Sequence, residues 1–379
     1  MLSSLRILAG RALSRIRVRK HQRQLIRLKS VESLEVRSLL TAGALDAAFG
    51  VNGLVQTDVT SGSDIGLSVA TQADGKIVAA GVAYILSNTD ADIVITRYLG
   101  NGALDPTFGS GGIVTTSLGS AFDEAFSVAI QTDGKVVVAG RTNSSGNYQF
   151  FVTRYNSDGS LDSSFDGDGI VTTSVGGLQD MGRVVLLQPD GKIVVAGDSY
   201  NGSNNDFALV RYNTNGSLDS TFGVGGKVTT DLGGYESLTS AALQADGKIV
   251  TGGFKTGHLL IRYNADGSLD STFDGDGVVE LTGSMAGASV EAIAMQADGK
   301  IITTGETIVG ADIGVALVRY NQDGTLDPQF DGDGIAVSVS AGIYQFASAI
   351  AVQPNGRIVV GGGANSPTSG TAHDFMLLR

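Results

Sequence analysis

The chain contains no cysteine, no tryptophan, only five prolines and only three histidines in 379 residues. Without cysteine there is no disulfide, no thiolate nucleophile and no Cys-ligated zinc. His21, His258 and His373 are too scattered to build a Ser-His-Asp grouping or a three-histidine metal set. Aromatic residues make up 6% of the chain, so a core must come mainly from Val, Ile, Leu and Ala. No apolar run approaches the ~18 residues that a membrane-spanning helix needs. A phosphate-binding loop is missing too, because the glycines stand in turns rather than ahead of helices.

Glycine, by contrast, occurs 54 times, about twice its ordinary share. Glycine without proline, beside 42% hydrophobic residues, points to many tight turns between short strands. A ten-residue phrase organises them: Gln131–Gly140 reads Q-T-D-G-K-V-V-V-A-G and recurs at 72–81, 188–197, 244–253, 296–305 and 353–362. Its Asp-Gly pair, Asn355-Gly356 in the last copy, predicts a two-residue type I′ hairpin turn with φ > 0 at both positions. The β-branched run that follows predicts a strand, with the closing glycine as its terminator.

Three further motifs cycle with that phrase. L-D-x-x-F starts at Leu45, Leu104, Leu161, Leu218, Leu269 and Leu326, in steps of 59, 57, 57, 51 and 57. It leads into a Gly-x-Val-x-Thr strand, as in Gly112–Thr116. A small-residue strand ending in Gln precedes the turn, and an apolar strand ending in Arg-Tyr, such as Phe150–Tyr155, closes the unit. The Asp of L-D-x-x-F (Asp46, Asp105, Asp162, Asp219, Asp270, Asp327) reads as a turn cap and the Phe as core. A six-fold repeated acid is poor material for catalysis, which needs one asymmetric constellation.

The run R-Y-N-x-D-G-S-L-D-x-x-F-G-x-x-G-x-V-x-T with Q-x-D-G-K-I-V-V-A-G is similar to the delta-60 repeat, a bacterial beta-propeller-like repeat, over Ala44–Arg379. The inner part of each unit resembles the NHL propeller repeat more faintly. The resemblance implies a propeller and brings no catalytic residues. Strand arithmetic agrees: four strands per unit and six units leave none over, and such a unit cannot bury both sheet faces alone. The expected fold is all-β, a six-bladed β-propeller of four-stranded antiparallel blades, with the small-residue strand innermost. Residues 43–379 would form it, with blades near 65–116, 125–173, 182–230, 239–281, 290–338, and 347–379 plus 45–57. Pairing of Gly53–Thr57 with Phe375–Arg379 would close the ring and remove two open edges; a linear solenoid is the alternative.

Charge divides the chain. Residues 1–42 hold ten Lys/Arg against two acids, and the remainder sixteen against thirty-six. The basic segment is amphipathic and ends in Leu34-Glu35-Val36-Arg37-Ser38-Leu39-Leu40-Thr41-Ala42. This stretch resembles the L-E-x-R-x-L-L-x-A segment that closes the leader of exported bacterial surface proteins, which implies a targeting segment outside the fold and a secreted or cell-surface location. The acidic body argues against nucleic acid as a partner.

Two sets of acids are candidate sites. Asp64, Asp123, Asp180 and Glu236 each stand eight residues before a motif Gln, with Ala288 and Gln345 at the other two places. On innermost strands they would converge at one mouth of a central channel and attract a cation or a basic ligand. The Asp-Gly-Asp-Gly segments carry Asp166, Asp168, Asp274, Asp276, Asp331 and Asp333, which read either as structural turns or as calcium ligands. No other cofactor is indicated. The expected function is a non-catalytic, monomeric binding or scaffolding module. It would hold a protein or glycan on the variable loops 82–91, 141–149, 198–206, 306–313 and 363–374. The alternatives are a hydrolase or lyase acting on polysaccharide through carboxylates at the channel mouth, and a repeat segment of a larger adhesin.

Overall fold

A computed structural model describes residues 45–85, 90–119, 122–143, 146–365 and 373–379. The basic leader and its L-E-x-R motif lie outside them. The chain divides into units 1–46 and 47–379, and the second carries every strand described below. No helix among the described residues is long and apolar enough to cross a membrane.

The described residues form six antiparallel sheets, five of four strands and one of three, each a simple meander. The first holds β1 (Asp64–Thr71), β2 (Ile77–Ile85), β3 (Asp90–Tyr98) and β4 (Ile113–Thr116). The second holds β5 (Asp123–Ile130), β6 (Val136–Thr142), β7 (Gln149–Tyr155) and β8 (Ile170–Thr173). The third holds β9 (Asp180–Leu187), β10 (Ile193–Tyr200), β11 (Asn205–Tyr212) and β12 (Lys227–Thr230). The fourth runs through β13 (Ser237–Leu243), β14 (Ile249–Phe254), β15 (Gly257–Tyr263) and β16 (Val278–Ala286). In the fifth are β17 (Ala292–Met295), β18 (Ile301–Val309), β19 (Asp312–Tyr320) and β20 (Ile335–Ser338). The sixth has β21 (Gln345–Val352), β22 (Ile358–Asn365) and β23 (His373–Leu378).

The strand order within each sheet is the one the motifs predict. First strands of consecutive sheets pack on one another, β1 on β5, β5 on β9 and so on to β17 on β21, so bulk is excluded there and small residues fill the space. In the second to fifth sheets, second and third strands are covered on both faces by neighbouring sheets. They therefore read as continuous apolar runs rather than alternating ones, and Val136, Val137, Val138 and Ala139 are all fully buried. Fourth strands have four residues, except the nine-residue β16, and lie partly exposed.

The hairpin turn differs from the expected type I′. In the first copy the Gly75 N–H donates to the Gln72 carbonyl at 3.0 Å and the Gln72 N–H to the Lys76 carbonyl at 2.8 Å. Gly75 has φ +84 while Asp74 stays on the negative side. That is a type I turn followed by a glycine bulge, a three-residue loop. The Asp carboxylate is engaged in accepting the Lys76 N–H at 3.2 Å, so only the glycine takes the left-handed position.

The glycine that closes the phrase does not end its strand. β6 continues two residues past Gly140, and the pairing register slips beside it, between Ala125 and Ser127. A Cβ on Gly140 would sit 1.9 Å from the Glu124 carbonyl oxygen, and the equivalent glycines 81, 197, 253, 305 and 362 meet a carbonyl at the same distance. The glycine therefore permits a β-bulge in the first strand. The bulge turns a serine toward the next sheet: Ser68 Oγ accepts the Val128 N–H at 3.1 Å, and Ser127 and Ser240 do the same for Val185 and Ile293.

Closure is also corrected. Leu377 pairs with Gly361 inside the three-stranded sixth sheet, whereas Leu54 bridges only to Val51 and residues 53–57 form no strand. Segment 49–57 is instead held by the first sheet. Thr57 and Tyr98 share a hydroxyl hydrogen bond of 2.8 Å, as Thr116 with Tyr155 and Thr173 with Tyr212 do. The Gly50 N–H donates to the Asn101 carbonyl just as Gly109 donates to Asp158. These docking contacts span about one repeat, while the expected pairing with β23 joins segments more than 300 residues apart along the chain and has no local contact to set it. Phe375 and Leu377 consequently remain exposed.

The two glycine classes give a direct test. Gly140→Ala should cost more than ~3 kcal/mol, since neither strand can retreat from the carbonyl. Gly134→Ala, with φ +84 and open space around its Cβ, should cost only the ~1–2 kcal/mol of a left-handed alanine. Urea unfolding of both variants measures the difference.

Candidate functional site

The L-D-x-x-F acid and the Arg-Tyr arginine meet in one cluster per repeat. In the second sheet Arg154 Nε donates to Asp162 Oδ2 at 2.7 Å, and Lys135 Nζ reaches the same oxygen at 2.8 Å. Asp162 Oδ1 accepts from the Ser164 N–H and hydroxyl at 3.1 and 2.7 Å. The guanidinium lies 4.6 Å over the ring of the fully buried Phe165. Its Nη1 donates at 2.6 Å to the Thr214 carbonyl of the following repeat, and its Nη2 at 3.1 Å to the Ser164 hydroxyl. The same geometry recurs around Asp105, Asp219 and Asp270. Burial opposes ionisation of these acids, yet hydrogen bonds from the hydroxyl, the amide and the lysine, together with the arginine charge, hold all four well below the usual carboxylate range. These acids, read as turn caps, do cap turns, and they also clamp sheet to sheet.

The four acids expected to form a ring are each taken up at the start of a first strand. Asp64 accepts the Val59 and Thr60 amides. Asp123 accepts the Leu118 amide at 2.6 Å and the Thr142 hydroxyl at 2.6 Å. Asp180 accepts the Val175 amide at 2.8 Å and the Ser199 hydroxyl at 2.6 Å. They serve as separate caps on the loops that lead from one sheet to the next. Glu236 differs: it is fully buried, and neither carboxylate oxygen has a hydrogen-bond partner. Burial pushes it up to about 7, with the nearby Leu232 amide opposing and the charges of Asp206 and Asp231 adding to the rise. Ligand oxygens of Asp206, Asp231 and Glu236 lie within 4.8 Å of one another, a grouping that sequence spacing did not reveal.

The Asp-Gly-Asp-Gly acids are exposed. Asp166, Asp274 and Asp331 occupy φ 52, 52 and 50, where Gly109 and Gly223 stand in other repeats, and aspartate tolerates that region better than most residues. Asp168, Asp276 and Asp333 accept the amide two residues on, each at 2.9 Å. His258 is fully buried; its Nε2 lies 2.9 Å from the Thr303 hydroxyl, and burial lowers it to about 3, so the ring is neutral.

The loops after the second strand are shorter than the sequence suggests, because their ends join the sheets. β10 runs to Tyr200 and β11 starts at Asn205, and only Gly310 and Ala311 separate β18 from β19. The same end of the sheets gathers five tyrosines that motif reading passed over: Tyr84, Tyr148, Tyr200, Tyr235 and Tyr344. All five are partly or fully accessible, whereas Tyr155, Tyr212, Tyr263 and Tyr320 of the Arg-Tyr motif are fully buried. Arg141 stacks 4.5 Å over Tyr148, and the Tyr344 hydroxyl donates to Glu306 at 2.7 Å.

The clamp carboxylates fix the pH response. Their folded-state pKa values lie below the unfolded value of ~3.9, so their contribution is full above ~pH 5 and is lost as pH falls through that value toward the folded one. Burial shifts Asp92, Asp198 and Glu291 upward, which works in the opposite sense, so the loss should set in only below ~pH 4. Asp162→Asn should remove ~3 kcal/mol at pH 7 by leaving Arg154 short of its counter-charge, and should flatten the acid limb. Urea midpoints between pH 3 and 7 check both.

Comparison with solved structures finds distant likenesses. A protein of unknown function from Dyadobacter fermentans DSM 18053 has 11% identity and TM-score 0.49, over 82% of this chain and 92% of that one. A protein of unknown function from Bacteroides caccae has 15% identity and TM-score 0.40, over 72% and 86%. The polysaccharide lyase Uly1 has 12% identity and TM-score 0.44, over 93% and 86%. No curated protein matches the chain. The model of the family described as "Domain of unknown function (DUF5122) beta-propeller" matches residues 72–108, 131–165, 188–222, 244–273 and 296–330. Each match begins at a hairpin Gln and ends at a clamp Phe, so five stretches of the chain, each the unit from turn to clamp, are similar to that family's beta-propeller repeat.

Proposed function

We propose that the protein is a non-catalytic recognition module, secreted or displayed on a bacterial surface, that holds a protein or glycan ligand across the end of its sheets where second strands turn into third. The division of its ten tyrosines carries this reading. Those of the Arg-Tyr motif belong to the framework, while the other five stand accessible beside Asn201, Asn204 and Asp90 at the strand ends. Tyrosine gives large contact area at low entropic cost and, with asparagine, suits hydrogen-bonded recognition. The framework below is fixed by the clamps, which favours binding by a preformed surface.

The recurring carboxylates support a non-catalytic role, since each clamp or cap acid is already engaged within the framework. The extracellular setting rests on the leader's likeness to exported proteins. A glycan and polysaccharide array probed with the full chain tests the reading, with turnover followed on any ligand retained. Tyr200→Ala with Tyr235→Ala should weaken binding at least tenfold at an unchanged melting temperature, and the ligand should be recovered intact. Turnover that disappears in Asp123→Asn or Asp180→Asn would replace this reading with an enzyme.

A further inference from the structure

The loops joining the first three sheets follow a common plan, and the loop from the third sheet to the fourth departs from it by gathering acids. Between the first and second sheets, and between the second and third, a capping aspartate is satisfied by a loop amide and by a hydroxyl from the second strand, Thr142 or Ser199. Nearby stand Asp92 and Ser117 at one junction and Gln149 and Ser174 at the other, with Ser174 also directed at Asp180. Between the third and fourth sheets the cap, the serine and the hydroxyl places all change, while Asp206 keeps the acid that Asp92 provides at the first junction. The cap becomes Glu236, the serine becomes Asp231, Gln149 is matched by Asp206, and the hydroxyl position is taken by Lys255. Lys255 does not replace the lost donor: its Nζ donates to the Leu232 carbonyl at 3.0 Å and pairs with Glu280 at 3.6 Å.

Three carboxylates therefore converge where the sister junctions present two, Asp123 with Asp92, or one, Asp180, each cap there being satisfied by a hydroxyl. Both oxygens of the buried Glu236, and Oδ1 of the buried Asp206, have no hydrogen-bond partner among the described residues. Asp206 Oδ2 accepts from Asn201 at 3.0 Å, and Asp231 Oδ1 accepts the Gly233 N–H at 2.7 Å, which fixes both side chains. An unpartnered buried carboxylate is costly, and two more beside it add repulsion. We propose that Asp206, Asp231 and Glu236 bind one calcium ion at the junction of the third and fourth sheets. The donors are all hard oxygens. Three carboxylates in one place suit calcium, which takes six to eight oxygens in flexible geometry, better than magnesium, which keeps several waters and usually takes one or two carboxylates. Water would complete the shell on the side of the exposed Asp231.

The inference does not depend on the ligand reading, because the site is part of the framework. Calcium chloride titrated calorimetrically into chelator-stripped, dialysed full-length protein should show one saturable site per chain, with Kd in about the 10⁻⁵–10⁻³ M range, and should raise the melting temperature. Glu236→Gln and Asp231→Ser, the latter installing the residue found at position 174, should each weaken binding at least tenfold. Without calcium both should melt no lower than the parent, since they relieve repulsion. Asp231 is exposed, so its variant decides the matter if Glu236→Gln fails to fold. Absence of saturable binding to the parent, or binding unaltered in Asp231→Ser, would overturn the assignment; the second result would place calcium elsewhere, for example at the Asp-Gly-Asp-Gly turns.

Discussion

One buried guanidinium per repeat holds this fold together. In each of four repeats the arginine is neutralised by its own aspartate, stacks on its own phenylalanine and donates from Nη1 to a carbonyl of the following repeat. Arginine suits the place because its planar fork makes several directed bonds at once and its face packs on an aromatic ring. A lysine offers a point charge and one direction fewer. The clamp also explains why L-D-x-x-F and Arg-Tyr recur together: they are two halves of one contact, eight residues apart along the chain in each of these copies.

The clamps work from the outer part of the sheets, and the serine bulges stitch the first strands on the inner side. Between them the first sheet is tied to the second, the second to the third and the fourth to the fifth at two levels. That leaves the strand ends opposite the clamps as the place where repeats can diverge without loss of the framework. They do diverge there: the accessible tyrosines, the Asn201–Asn204 turn and the acidic trio all lie at that end. Divergence in a repeat fold is thus confined by where the ties are, and recognition follows from what the ties leave open.

Much of the architecture was legible because its signals are local. Asp-Gly turns, β-branched runs and motif spacing fix strand order within each sheet, and the sheets obey it. What escaped reading depends on neighbours distant in sequence. Gly140 looks like a strand terminator until the Glu124 carbonyl is placed against it. The turn looks like type I′ until the Asp carboxylate is seen to cap the next amide. The 53–57 segment carries the outer-strand motif, and the first sheet does hold it like one, but pairing with β23 is a contact between distant ends that no local pattern dictates. Asp206, Asp231 and Glu236 were separable from ordinary acids only by laying the junctions side by side, where Gln149, Ser174 and Asp180 occupy the matching places. Glu236 was singled out in sequence, but its companions were not.

The clamp is tested most directly by Arg154→Lys, which keeps the charge and removes the fork. Equilibrium unfolding, with amide exchange read along the second and third sheets, would measure the effect. The account predicts a loss of about 2–4 kcal/mol, with exchange accelerated first around Asp162 and around Thr214 in the next repeat. Unchanged stability, with Thr214 and its neighbours as protected as before, would contradict it.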